Sequence, residues 1–230
     1  MSAFLEKAGT SLAPLTALSY NGKPVRKPVD RKGVLFVFEG IDGTGKTTQA
    51  LRLVEELGRA GHDVVYFREP SDSKWGRIIR EKAVEEDSLT PIEELELFQN
   101  DRRENVEKNL KPAIDGGKIV VLDRYYYSTM AYQGAKGISS EKIRKDNEDF
   151  APPPDLIFVF DLNPAAGLER ISDRGRRDIL FEREDYLDKV RAVFLGLKGE
   201  RFIHVDASQP VETVAARIKK VVSRYLSCLD

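Results

Sequence analysis

From Val34 onward, five short apolar runs alternate with longer stretches in which apolar positions return every three or four residues. The runs are Val34 to Phe38, Val64 to Phe67, Ile119 to Leu122, Leu156 to Phe160 and Phe202 to Val205. Apolar runs without polar alternation predict strands buried on both faces, as in a parallel sheet. The intervening patterns predict helices over about 46–60, 74–86, 91–115, 125–149 with a break, 164–173, 183–198 and 211–226. Strand-helix alternation of this kind predicts an α/β domain with about five parallel strands between two layers of helices.

Turn residues set the limits of these elements. Gly61 closes the first helix, Gly116 and Gly117 precede the third strand, and Pro152, Pro153 and Pro154 stop a helix before the fourth. Ser71 to Lys74 and Asp87 to Pro91 read as loops. The sheet pattern runs nearly to the C-terminus with no internal repeat, so one domain over residues 33–230 accounts for it. Residues 1–32 differ: they are rich in Ser, Thr, Pro and Gly, carry 6 basic against 2 acidic side chains, and read as an extension. Their basic, acid-poor character weakly resembles a transit peptide, and they lack the apolar block of a secretory signal.

Composition narrows the classes. Of 230 residues, 41% are hydrophobic and 33% charged, enough to bury a core. The net charge of -1 excludes the basic footprint of a strong nucleic-acid binder, so any polyanion bound is small. Cys228 is the single cysteine, which rules out an intramolecular disulfide framework and fits a reducing cytoplasm. No apolar stretch reaches the roughly 18 residues of a membrane span.

The strongest chemical signal is Gly40-Ile41-Asp42-Gly43-Thr44-Gly45-Lys46-Thr47, the G-x-x-x-x-G-K-[ST] pattern placed between a strand and a helix. Glycines let backbone N–H groups turn toward phosphate oxygens, and the helix adds its positive end. Lys46 places a charge between the β- and γ-phosphates, and Thr47 offers a hydroxyl to Mg²⁺. Asp123 closes the third strand and is either the carboxylate of the magnesium shell or the N-cap of the next helix. These residues predict a three-layer P-loop NTPase fold. The guanine-reading Asn-Lys-x-Asp segment of GTPases is missing from the sequence, as are the extra modules of a motor.

Further motifs follow: Arg68-Glu69-Pro70 after the second strand, Leu97-Phe98 with Asp101-Arg102, and Asp123-Arg124-Tyr125 followed by Ser128, Ala131, Tyr132 and Gln133. With Phe38 to Thr48, these resemble the thymidylate kinase family over about residues 33–227. The resemblance implies ATP and Mg²⁺, with Gly40 to Thr48 and Arg170 on the ATP side. On the acceptor side it implies that Phe98 stacks on thymine, Arg102 hydrogen-bonds a base carbonyl, Asp42 holds the sugar 3'-hydroxyl and Tyr132 crowds the 2' position. Arg68 and Arg124 would grip the acceptor phosphate, and Ser128 and Gln133 also belong to the dTMP side. It also implies a homodimer.

Physical reasoning leaves some of these positions open. Phe98 and Arg102 are four apart on one helical face, where a ring and a fork of donors suit a base. Taken alone, Phe98 reads as core and Arg102 as a salt-bridge partner of its acidic neighbours. Tyr125, Tyr126 and Tyr127 do not share one helical face, so at least one is packing.

Between the fourth and fifth strands lies Arg170-Ile171-Ser172-Asp173-Arg174-Gly175-Arg176-Arg177-Asp178, either a solvated turn or a basic lid. Phosphoryl transfer needs positive charge around the transferring group. Family members with Gly at position 43 carry that charge in the lid, which points to Arg174 and Arg177 as catalytic alongside Lys46 and Arg124. Glu182 is either an acidic residue near the lid or part of the next helix's first turn. His62 and His204 are assigned structural places.

The reaction implied is γ-phosphoryl transfer from ATP to dTMP. The acceptor phosphate, with a second pKa near 6, is already ionised, so no general base is needed. Two departures from the family pattern bear on base preference: Ser71-Asp72-Ser73 stand where Gly-Gly is common, and Thr129 stands where some relatives have Asn. The competing readings are another pyrimidine monophosphate (dUMP, UMP or CMP), a nucleoside kinase using Glu39 or Asp42 as base, and a non-catalytic nucleotide-binding regulator.

Overall fold

The computed structural model describes residues 32–83, 89–171 and 177–229. The five strands are β1 (Val34–Gly40), β2 (Val64–Arg68), β3 (Ile119–Asp123), β4 (Leu156–Asp161) and β5 (Phe202–Asp206). All pair in parallel, in the order β2-β3-β1-β4-β5. Each predicted run is found, extended by one or two residues. β2 is only half-buried rather than covered on both faces, because it is an edge strand.

The apolar runs sort their residues by alternation. Leu35 and Val37 join one hydrophobic cluster, while Val34, Phe36 and Phe38 join another on the opposite face. Residues of β3 and β4 divide in the same way, so the sheet is the middle of three layers. Phe36, Phe38 and Phe158 are fully buried, each contributing about 1.5–3 kcal/mol by leaving water.

Nine α-helices are described: α1 (Lys46–Arg59), α2 (Lys74–Lys82), α3 (Pro91–Asn105), α4 (Lys111–Asp115), α5 (Tyr126–Ala135), α6 (Ser140–Glu148), α7 (Pro164–Ile171), α8 (Arg177–Gly196) and α9 (Val211–Leu226). The predicted 91–115 helix is one rod in which a π-helical turn, Val106–Leu110, joins α3 to α4. Pro91 starts α3 rather than belonging to the loop before it. Thr90 and Glu93 form a reciprocal capping box there, and proline at the first turn forfeits no helical hydrogen bond. The predicted break in 125–149 falls between α5 and α6, and α8 begins six residues earlier than the pattern suggested. Tyr125, Tyr126 and Tyr127 are all buried in one cluster, because Tyr125 precedes the helix and so escapes its periodicity.

The sheet order reverses direction at β1, which lies between β3 and β4. In open α/β sheets ligands bind beyond the C-terminal strand ends at such a point. Gly40, Asp123 and Arg68 end their strands on that rim.

Candidate active site

The loop between β1 and α1 turns through residues with positive φ at Gly40, Gly43 and Gly45. Gly45, at φ 83°, is the residue before α1, and its left-handed conformation opens the first-turn N–H groups of α1 toward the rim. Thr44 Oγ1 donates to the Ile41 carbonyl at 2.8 Å, and Lys46 Nζ donates to the same carbonyl at 2.7 Å. Lys46 is buried, and that desolvation, with the Arg124 charge, pulls its pKa down to about 7. A phosphate anion at the loop would reverse that pull.

Thr47 Oγ1 donates to Asp123 Oδ2 across the β1–β3 rim, and Tyr66 Oη donates to the same oxygen at 3.3 Å. Burial and the Asp123 carboxylate push the Tyr66 phenol up to about 12. Asp123 therefore does not cap α5: its side chain faces α1, and its reading as a metal-shell carboxylate keeps its geometry. A hydroxyl and a carboxylate, both oxygen donors, suit a hard divalent cation that keeps its remaining positions for phosphate and water. The residues present fit Mg²⁺.

The cap of α5 comes instead from Glu39 on β1, which sequence reasoning weighed only as a base. Its carboxylate accepts from Tyr125 N at 2.8 Å, Ser128 N at 3.2 Å and Ser128 Oγ at 2.5 Å. Burial pushes the Glu39 pKa up to about 7, against the opposing hydrogen bonds and the Arg124 charge. With the turn pinned, Arg124 takes φ 69°, a left-handed conformation for a non-glycine residue. Its guanidinium donates to Ser128 Oγ at 3.0 Å, pairs with Asp42 and lies 5.3 Å from the centre of the Tyr132 ring. Tyr132 Oη donates to Asp42 at 3.3 Å. Burial works against the Asp42 carboxylate, yet Arg124 and Lys46 hold its pKa below the ordinary value.

Two cavities meet here. The first, about 280 Å³, is lined by Asp42, Gly43, Lys46, Thr47, Thr48 and Asp123 among others. The second, about 310 Å³, is lined by Phe98, Arg102, Ser128, Thr129, Tyr132 and Gln133 among others. Both share Asp42, Glu69, Pro70, Arg80 and Arg124. Phe98 is half-buried and belongs to neither hydrophobic cluster, so the core reading does not hold. Arg102 is almost fully buried and is no partner of its acidic helix neighbours. It donates to Glu69 at 2.8 Å, Asn147 at 2.9 Å and Thr129 at 3.0 Å, which uses three of its five N–H groups and fixes its plane. Gln133, also buried, donates from Nε2 to Glu94 at 2.7 Å. Its Oε1 is buried with no hydrogen-bond partner among the described residues.

The unusual Ser71-Asp72-Ser73 segment is tied down. Ser71 N, Ser71 Oγ and Ser73 Oγ all donate to Asp101, at 2.8, 2.6 and 2.6 Å, and Ser73 also caps α2. Arg68, at the wall of the first cavity, pairs with Asp72 at 3.0 Å. Arg80 was missed by sequence reasoning, although it lines both cavities and donates to the Pro70 and Ser71 carbonyls at 3.1 and 2.9 Å. Its place follows from the packing of α2 under the 68–73 segment, for which the chain offers no local signal.

Arg170 Nη1 donates to the Gly43 and Ala207 carbonyls, both at 3.2 Å, bracing α7 against the phosphate loop. Of the lid arginines, Arg174 and Arg176 lie outside the described residues, and Arg177 and Glu182 are described in backbone alone. His204 contacts the Leu197 carbonyl at 2.9 Å, away from both cavities.

The thymidylate kinase family model matches residues 38–218. A probable thymidylate kinase of Archaeoglobus fulgidus is 45% identical over 194 residues, 84% of this chain and 97% of its own length. A thymidylate kinase of Akkermansia muciniphila is 46% identical over 194 residues, 84% of this chain and 93% of its own. One of Desulfotalea psychrophila is 42% identical over 195 residues, 84% of this chain and 96% of its own. The family model and these relatives cover most of the chain, which belongs to the thymidylate kinase family.

Proposed function

We propose that the chain transfers the γ-phosphoryl group of ATP to the 5'-phosphate of dTMP, giving dTDP and ADP. The observation that carries this reading is the junction of the cavities. A phosphate cradle opens onto a pocket with an aromatic ring and a fixed guanidinium, and Asp42, Arg80 and Arg124 stand between them.

The first cavity takes the ATP phosphates, held by the loop N–H groups and by Lys46. Lys46 becomes fully charged as phosphate replaces its carbonyl contacts, which places a cation beside the group in transit. Thr47 and Asp123 would hold Mg²⁺, which when bound neutralises charge on the phosphates. The second cavity takes dTMP. Phe98 lies against the pyrimidine face, Arg102 donates to a base carbonyl, and Gln133 faces the base edge. Asp42 takes the 3'-hydroxyl, Tyr132 fills the space of a 2'-hydroxyl, and Ser128 orients Arg124. Arg124, Arg68 and Arg80 then hold the acceptor phosphate in line with the γ-phosphate. Alignment and charge neutralisation supply the rate, and no side chain has to remove a proton. Arg174 and Arg177 add charge from the lid, and Arg170 supports the ATP side from beneath the loop.

We assign residues 33–230 to the kinase domain and leave 1–32 as an extension without an assigned role. The reading extends, on family resemblance, to a cytoplasmic homodimer; among the described residues no helix is long and apolar enough to cross a membrane. Phe98→Ala tests the acceptor pocket. It should raise the KM for dTMP about tenfold or more while leaving the KM for ATP near its parent value. An equal loss for both substrates would assign Phe98 to packing instead.

A further inference from the structure

Gln133 has a direction that its own chemistry does not fix. A glutamine amide presents an acceptor on one side and two donors on the other, and in an empty environment either can face a ligand. Here one side is decided by Glu94, on α3 across the cavity from α5. An ionised carboxylate only accepts, so the 2.7 Å contact requires Nε2 to face it. Lys136 pairs with the same Glu94 oxygen, so both of its partners there are donors. The consequence is that Oε1 is the atom left over, buried and without a partner among the described residues.

A buried acceptor without a donor is costly, and a ligand N–H that reaches it repays the cost. Thymine and uracil carry N3–H with carbonyls on either side. Cytosine carries an unprotonated N3 beside an amino group, so its edge meets Oε1 with a lone pair. Arg102, which also lines the cavity, donates only, and it is locked by Glu69, Asn147 and Thr129. With Oε1 set against base position 3 and Arg102 against position 4, the pair matches a keto pyrimidine edge and mismatches the amino one.

We infer that Glu94 is a positioning residue that sets the polarity of base reading: by holding the Gln133 amide, it makes the pocket select pyrimidines with an N3–H and reject cytosine. Glu94 acts through Gln133 and needs no contact with substrate. The inference rests on the assignment of the second cavity to the dTMP base.

The test compares the parent with Glu94→Ala, Glu94→Gln, Glu94→Lys and Gln133→Met in steady-state assays with dTMP, dUMP and dCMP at saturating ATP, with thermal melts of each. Removing the carboxylate frees the amide. Glu94→Ala should raise the KM for dTMP and dUMP about tenfold and lower the preference for dTMP over dCMP by a similar factor, with the change in KM rather than kcat. Glu94→Gln keeps an acceptor and should restore most of the preference. Glu94→Lys offers only donors, draws Oε1 toward itself so that Nε2 faces the base, and should lower the preference further; it also decides the matter if the alanine variant melts early. A dTMP to dCMP ratio unchanged in both Glu94→Ala and Glu94→Lys, while Gln133→Met raises the KM for dTMP, overturns the role of Glu94 alone. A Gln133→Met enzyme with parental constants for every nucleotide overturns the placement of the base itself.

Discussion

A β-carbon added to Gly43 would stand 2.3 Å from the carbonyl oxygen of Gly167. The phosphate loop and α7 therefore touch backbone to backbone, and Gly43 also holds φ 78°. Gly167 is matched to it, since its own added β-carbon would meet the Asp42 carbonyl at 2.8 Å. This contact leaves no room for a side chain in the middle of the loop.

Gly43→Ala should accordingly cost about 1–3 kcal/mol of stability, from overpacking and a strained φ together. Turnover should fall at least tenfold, because the loop must shift from the cradle geometry. Denaturant unfolding and initial rates check both. A stable, fully active Gly43→Ala would mean that the loop and α7 separate easily.

Arg124 combines an unfavourable backbone with a central position. Arg124→Ala and Arg124→Gly should both lose at least a hundredfold in kcat, since each removes the cation between the cavities. They should differ in stability. Glycine relieves the left-handed φ, so Arg124→Gly should be about 1 kcal/mol more stable than Arg124→Ala. Equal stabilities would show that the turn relaxes when its hydrogen bonds with Ser128 and Asp42 are lost.

Glu39 provides a pH signature. Its folded pKa is about 7 against an ordinary 4.5, so the native state binds the extra proton between those values. Its contribution to stability is full below pH 4.5 and is lost as pH rises through about 7. Glu39→Gln removes this dependence. The variant should therefore gain on the parent, by on the order of 3 kcal/mol, between pH 4.5 and pH 8. Denaturation curves of both proteins across that range measure it, and a constant difference would show that Glu39 does not titrate there.

The chain displays its local features openly. The phosphate loop is contiguous, and Asp123 is recognisable because a strand of apolar residues ends on it. Phe98 and Arg102 share a face through helical spacing alone. What the chain hides is tertiary. Glu39 reads as an acid within a strand, and only the packing of α5 across β1 makes it a cap. The three donors to Asp101 come from a segment some thirty residues earlier, so the Ser71-Asp72-Ser73 spelling looked like a departure rather than a tether. Asn147 and Thr129 become partners of Arg102 only when α3, α5 and α6 converge. Tyr125, Tyr126 and Tyr127 share one core because the helix starts one residue later than its apolar pattern.

The central claim is that the two cavities join ATP to a thymidine monophosphate. A coupled ADP-release assay with ATP and Mg²⁺ against dTMP, dUMP, UMP, dCMP and thymidine, with a no-acceptor control, tests it most directly. The account predicts strong preference for dTMP, weak use of the ribonucleotide because Tyr132 fills the 2' space, and little ADP without acceptor. Preference for UMP, dCMP or thymidine, or equal ADP release with no acceptor, would contradict it.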